Sequence, residues 1–101
     1  MDWKETINGQ EASISFSGKL TFENSSELRD KVKNFLSSHE VKTLIFDLAD
    51  VKFVDSSGLG LLVSIKNTMT KRGGVFMIKS VTDTVRKIMK QTGLDKYFDI
   101  G

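Results

Sequence analysis

Asp55, Ser56, Ser57 and Gly58 form one run, and Leu59 and Gly60 follow. An acid beside two hydroxyls, at the head of an apolar segment, admits several kinds of chemistry. The first is phosphoryl acceptance. A hydroxyl at a helix N-terminus faces solvent, and the free N–H groups and positive dipole end there tolerate an incoming phosphate. Asp and Ser are also preferred helix caps, so local pattern alone leaves ordinary capping open.

The second is serine nucleophilic catalysis. A nucleophile elbow needs Gly-x-Ser-x-Gly, and Val54-Asp55-Ser56-Ser57-Gly58 lacks the first Gly. The one histidine, His39, stands in a polar helix-to-strand connection, and a triad needs it within hydrogen-bond reach of the serine. No catalytic residue is assigned, and the chain is not expected to be an enzyme. The third is nucleotide binding. Gly58-Leu59-Gly60 is a fragment of a Gly-rich loop, with neither a third Gly nor a following Lys-Ser/Thr. The fourth is a hard-cation site from Asp47, Asp50 and Asp55, yet turn formation accounts for Asp50 and Asp55 more simply. No metal and no cofactor are expected.

The elements that must position this run follow from periodicity. Ala12, Ile14 and Phe16 alternate with polar residues, as in a half-buried strand. A shorter strand around residues 3–7 precedes it, with Asn8-Gly9 as a hairpin turn. Asn24 and Glu27 resemble a capping box for a helix carrying Leu28, Val32, Phe35 and Leu36 and ending near residues 37–39. Residues 44–48 are a continuous apolar run and predict a central strand buried on both faces. Val51, Phe53 and Val54 follow and lead into the Asp55 run.

Residues 57–72 predict a helix stopped by Lys71-Arg72-Gly73-Gly74. At about 100° per residue, Leu59, Leu61, Leu62, Val63, Ile65 and Met69 span roughly 200° of it. The usual buried stripe is only somewhat wider than about 100°. Either both flanks pack inward or one edge is exposed as a contact surface. Residues 75–78 predict another buried strand. Thr82 caps a last helix with Val85, Ile88 and Met89, and Leu94, Tyr97, Phe98 and Ile100 fold back after Gly93. The order β-β-α-β-α-β-α predicts an α/β fold: a mixed, mostly parallel sheet of four to five strands packed with helices.

Composition limits the rest. With 101 residues, the chain fits one domain, 1–101, and 39% hydrophobic content including seven Phe suffices for a core. The absence of Cys excludes disulfides and thiolate metal sites. The first residues carry acids and no apolar leader, and no stretch is long enough to span a bilayer, so a cytoplasmic protein without membrane contact is expected. A net charge of +2 does not call for nucleic acid. The charge is uneven, however. Residues 1–55 hold seven Lys/Arg against ten Asp/Glu, and residues 56–101 hold eight against three. Solvated helix faces account for this, or a basic flank that meets an acidic partner.

Together, the order of elements and the Asp55-Ser56-Ser57-Gly58-Leu59-Gly60 block resemble the STAS family, sulfate transporter and anti-sigma factor antagonist domains. Residues 14–20, 44–48, 51–60 and 92–98 carry the likeness. The resemblance implies a bacterial anti-sigma factor antagonist, monomeric when free, that works by partner switching. It binds an anti-sigma factor that is also a serine kinase, which frees a sigma factor. The kinase phosphorylates Ser56, the complex separates, and a metal-dependent serine phosphatase restores the antagonist. ATP and Mg²⁺ belong to those partners. Asp55, Ser57, Gly58 and Thr21 are the implied phosphosite neighbours; the wide apolar arc makes Leu59, Leu61, Leu62 and Ile65, with Phe22, the expected partner surface. Family members often carry an acid after Gly-x-Leu. Here Gly18-Lys19-Leu20 is followed by Thr21, which reads as an ordinary strand-end threonine or as a second acceptor. The alternative is an accessory or scaffold STAS subunit of a lipid or anion transport complex or of a stress-sensing assembly.

Overall fold

The computed structural model describes residues 2–100; Met1 and Gly101, the ends of the expected domain, lie outside the described residues. Its elements are β1 (Trp3–Asn8), β2 (Glu11–Phe16), β3 (Gly18–Leu20), α1 (Phe22–Ser38), β4 (Thr43–Leu48), β5 (Val51–Val54), α2 (Ser56–Lys71), β6 (Val75–Val81), α3 (Asp83–Thr92) and α4 (Leu94–Tyr97). The α/β character and the order of the main elements agree with the sequence.

β1 and β2 form an antiparallel hairpin, and Asn8 pairs with Glu11 across the two-residue turn Gly9-Gln10. Gly9 has φ +64°, a conformation with no Cβ penalty for glycine, and this lets the turn match the twist of its strands. β4 then joins β2 in parallel and β6 joins β4 in parallel, giving the strand order β1-β2-β4-β6.

This is the expected mixed, mostly parallel sheet, with four strands, and a second small sheet stands beside it. β3 and β5 pair in parallel as a separate two-stranded sheet. Gly18 and Asp50 connect them at one end, where the Gly18 N–H donates to the Asp50 carbonyl at 3.1 Å. Both strands are too short for the sequence to separate them from loops, and they become visible only through their pairing.

One correction concerns β4, expected to be buried on both faces, and β6, expected to be a buried strand. Leu44, Phe46 and Leu48 are buried, but the intervening Thr43, Ile45 and Asp47 are half-buried. On β6, Phe76 is buried, whereas Val75 and Met77 are 50% and 47% exposed. The helices cover one face of the four-stranded sheet only. On that face aromatic rings run across the strands, edge to face, at 5.6 Å for Phe16–Phe46, 5.1 Å for Phe46–Phe76 and 6.2 Å for Phe76–Phe98. Such pairs add about 0.5–1.5 kcal/mol each beyond the area they bury. Phe98 and Ile100 are buried, so the C-terminal segment closes the core as expected.

α1 also starts earlier than its sequence signature suggests. Its N-cap is Thr21, not Asn24. Asn24 stands at the third helical position, where its Oδ1 accepts the Thr21 N–H at 2.8 Å and its Nδ2 donates to the Lys19 carbonyl. An amide does here what Glu or Gln does in the usual capping box. The buried positions Leu28, Val32, Phe35 and Leu36 are those the helical spacing selects.

Candidate functional site

Because β3 and β5 are parallel and adjacent, they end together. Leu20 pairs with Val54, and the next residues, Thr21 and Asp55, cap α1 and α2. Two helices therefore begin side by side at one end of the molecule, each presenting backbone N–H groups that no helical carbonyl satisfies.

Asp55 joins the two starts. Its Oδ1 accepts the Gly58 N–H of α2 at 2.9 Å, and its Oδ2 accepts the Phe22 N–H of α1 at 2.9 Å. Its own N–H donates to the Leu20 carbonyl at 3.2 Å, and its carbonyl accepts the Leu59 N–H at 2.9 Å. The N–H groups of Gly58 and then Phe22 hold the carboxyl below the ordinary aspartate range, against a smaller opposing effect of burial. The group is an anion shared between two helix dipoles.

Gly58 is buried where α2 presses on β3. A Cβ at that position would lie 2.3 Å from the Leu20 carbonyl oxygen, a backbone atom that cannot move aside cheaply. Glycine permits the close approach, and the approach fixes where Ser56 emerges.

Ser56 is the first residue of α2 and is exposed; Ser57 is half-buried. Asp55 makes the capping bond that Ser56 would otherwise be free to make, so the Ser56 hydroxyl has no hydrogen-bond partner among the described residues. Thr21 is half-buried at the start of α1, one residue before the N–H that Asp55 accepts. Sequence and structure thus bring Asp55, Ser56, Ser57, Gly58 and Thr21 to one end of the fold.

The expected partner residues divide. Phe22, the first residue of α1, is 78% exposed. Leu59, Leu61, Leu62 and Ile65 are buried members of the core. Of the two outcomes the wide apolar arc allowed, the inward packing of both flanks is the one found. α2 lies between α1 on one flank and β5 and β6 on the other, so it needs more than one apolar stripe. These four side chains belong to the core and are withdrawn as exposed contact surface.

The remaining candidates lie elsewhere or are occupied. His39 sits at the far end of α1, its Nδ1 3.0 Å from the Phe35 carbonyl oxygen and its ring stacked on Phe35. Asp47 Oδ1 accepts the Ala49 N–H at 3.0 Å. Sequence reasoning missed the bond from Asp55 to Phe22, which depends on the β3–β5 pairing and has no local signature. Among the described residues, no helix is long and apolar enough to cross a membrane.

Comparison with known proteins bears on this geometry. A family model described as the STAS domain matches residues 4–101. The chain is 24% identical over 87 residues to the anti-sigma F factor antagonist of Paenibacillus polymyxa, covering 86% of this chain and 74% of that one. It is 25% identical over 93 residues to the anti-sigma-B factor antagonist of Bacillus subtilis (strain 168), covering 92% and 84%. Among solved structures, the anti-sigma factor antagonist SpoIIAA in its unphosphorylated form matches with a TM-score of 0.81 at 23% identity, over 95% of this chain and 84% of that one. The phosphorylated form of Bacillus SpoIIAA matches with a TM-score of 0.72 at 22% identity, over 95% and 87%.

Proposed function

The chain belongs to the STAS domain family, and we propose that it is an anti-sigma factor antagonist whose binding is switched by phosphorylation of Ser56. Unmodified, it binds an anti-sigma factor serine kinase in the cytoplasm and so releases a sigma factor. The kinase transfers the γ-phosphoryl group of ATP to Ser56 Oγ. The O–P bond to ADP breaks, the new O–P bond forms at the serine, and the hydroxyl proton leaves. A metal-dependent phosphatase later hydrolyses the ester.

The observation that carries this reading is the position of Ser56: exposed, at the first turn of α2, with capping delegated to Asp55. The names of the relatives support the antagonist role, and a structural neighbour occurs in a phosphorylated form. The contact surface is the end where α1 and α2 begin, with Phe22 as its exposed apolar anchor.

Phosphate there penalises the complex and spares the fold. It brings about −1.5 to −2 charges at pH 7. In the free chain water and the helix end receive them. In a complex they would be desolvated against the docked surface, beside the Asp55 carboxylate. A loss of about 3 kcal/mol lowers affinity more than a hundredfold.

Incubation with the cognate kinase and ATP, followed by peptide mapping, tests the site. Label should be lost in Ser56→Ala and kept in Ser57→Ala and Thr21→Ala; label that persists in Ser56→Ala would overturn the assignment. In titrations, Ser56→Ala should bind constitutively and Ser56→Asp weakly. Equal affinity of phosphorylated and unmodified protein would leave a passive STAS subunit as the better account.

A further inference from the structure

α1 and α2 start together and run alongside each other, and an open groove of about 290 Å³ lies between them. Its floor is the thin outer edge of core side chains, Val32 and Leu36 from α1 and Leu61 and Ile65 from α2, each 1–6% exposed. Its rims are basic and polar. Arg29 and Lys33, four residues apart, line the α1 side. Ser64, Thr68 and Arg72, at helical spacing, line the α2 side.

No carboxylate lines this groove. Among the described residues, Arg29, Lys33 and Arg72 form no ion pair with a carboxylate. Arg72 donates to the Leu36 carbonyl at 3.3 Å, which holds its guanidinium over the far end. Along α2 the lining runs from Leu61 to Arg72, about 16 Å, or three helical turns. A groove of that length, with one apolar turn from each helix on its floor and basic rims above it, has the dimensions and charge of a seat for one amphipathic helix.

We propose that the α1–α2 groove docks an acidic amphipathic helix of a partner protein, with apolar side chains on the floor and carboxylates against Arg29, Lys33 and Arg72. The charge argues for this occupant. A basic helix would meet three unpaired cations, and a neutral one would leave them without counter-charge. This also gives the positive balance of residues 56–101 one use, through Arg72, in concert with two cations from α1. The surface lies along the helix flanks rather than at the Ser56 end, so the proposal stands whether or not Ser56 is phosphorylated.

The probe is a synthetic three-turn helical peptide with Leu on one face and Glu on both flanks, compared with versions carrying Lys or Gln in place of Glu. Titrated into the isotopically labelled full chain, the Glu peptide should shift the amide signals of Val32, Leu36, Ser64 and Thr68. Its affinity should fall at least about tenfold in the double variant Arg29→Glu/Lys33→Glu, and should fall with salt. Thr68→Trp fills the groove without changing charge and should block binding too. All three substitutions are at exposed positions, and circular dichroism verifies their folding. Equal binding of the three peptides, shifts confined to the Ser56 end, or no binding would overturn the proposal. So would sedimentation showing a dimer that Thr68→Trp dissociates, since the groove would then hold a second copy of this chain.

Discussion

The starts of α1 and α2 are near-equivalents built for opposite ends. Each follows a short strand of the β3–β5 pair, and each has a cap residue and three first-turn positions. At the first position α1 has Phe22 and α2 has Ser56. At the third, α1 has Asn24, whose side chain turns back to close its own cap, and α2 has Gly58, with no side chain. The α1 start therefore closes its own capping box but takes the acceptor for its Phe22 N–H from Asp55. The α2 start is pressed onto β3 and lends its cap, Asp55, to its neighbour. What differs is where the hydroxyl is left. Capping by Asp55 frees Ser56 for chemistry, and the missing Cβ at Gly58 fixes the height at which it is presented.

The largest expected contrast is between apolar residues that follow the two caps. Leu61→Ala removes a buried side chain and should cost about 2–5 kcal/mol. Phe22→Ala removes an exposed one and should change stability by less than about 0.5 kcal/mol while weakening kinase binding. Urea unfolding and a binding titration on the same two variants measure both. If Phe22→Ala unfolds the protein, or leaves affinity intact, the α1 start is a structural cap only.

Next in size is Gly58→Ala. The clash with the Leu20 carbonyl forces α2 away from β3, and about 3 kcal/mol of stability should be lost. Gly60→Ala is the control. It is exposed on the same helix, its Cβ would meet nothing within 4 Å, and it should stabilise the protein by about 0.5–1 kcal/mol. Equal effects of the two would show that α2 does not press on β3.

Much of this end of the molecule was legible in the residues. Alternation marked β2, helical spacing marked the buried face of α1, and the Asp55 run marked the start of α2 to within a residue. The rest depended on long-range pairing. β3 and β5 have too few residues for a period to show, so neither the second sheet nor the reach of Asp55 to Phe22 could be read. A continuous apolar run made β4 look doubly buried, because periodicity cannot tell an open sheet face from a covered one. The arc of α2 was correctly wide, but width alone did not say whether a neighbour or solvent lay beyond it.

A smaller effect concerns pH. The Asp55 carboxyl titrates below its ordinary value because the Gly58 and Phe22 N–H groups bind its charged form. The unfolded chain takes up that proton first, near the ordinary value of about 3.9. The stabilisation is therefore fully present above that value and is lost as pH falls through the lowered folded value. Asp55→Asn should flatten the acid limb of a stability-against-pH curve and lower the melting temperature at neutral pH. An unchanged acid limb would mean that the bridge between the helix starts contributes nothing.

The smallest expected effect on stability is at Ser56 itself, and its smallness matters. The side chain is exposed at a first-turn position and makes no bond among the described residues, so Ser56→Ala removes only a solvated hydroxyl. The change should stay within about 0.5 kcal/mol. Phosphoserine at the same position gains about 0.3–1 kcal/mol from the helix dipole, and the adjacent Asp55 charge opposes that gain. The two are of similar size and opposite sign, so the melting temperature of the phosphorylated chain should stay close to that of the unmodified one. A switch needs this balance. The modified residue must leave the free fold alone so that its whole effect falls on the complex. Thermal melts of the Ser56→Ala, phosphorylated and unmodified proteins, beside kinase titrations of each, measure both sides of the balance. A phosphorylated chain that melts many degrees lower, and loses its partner only for that reason, would replace the charge-based switch with simple unfolding of the α2 start.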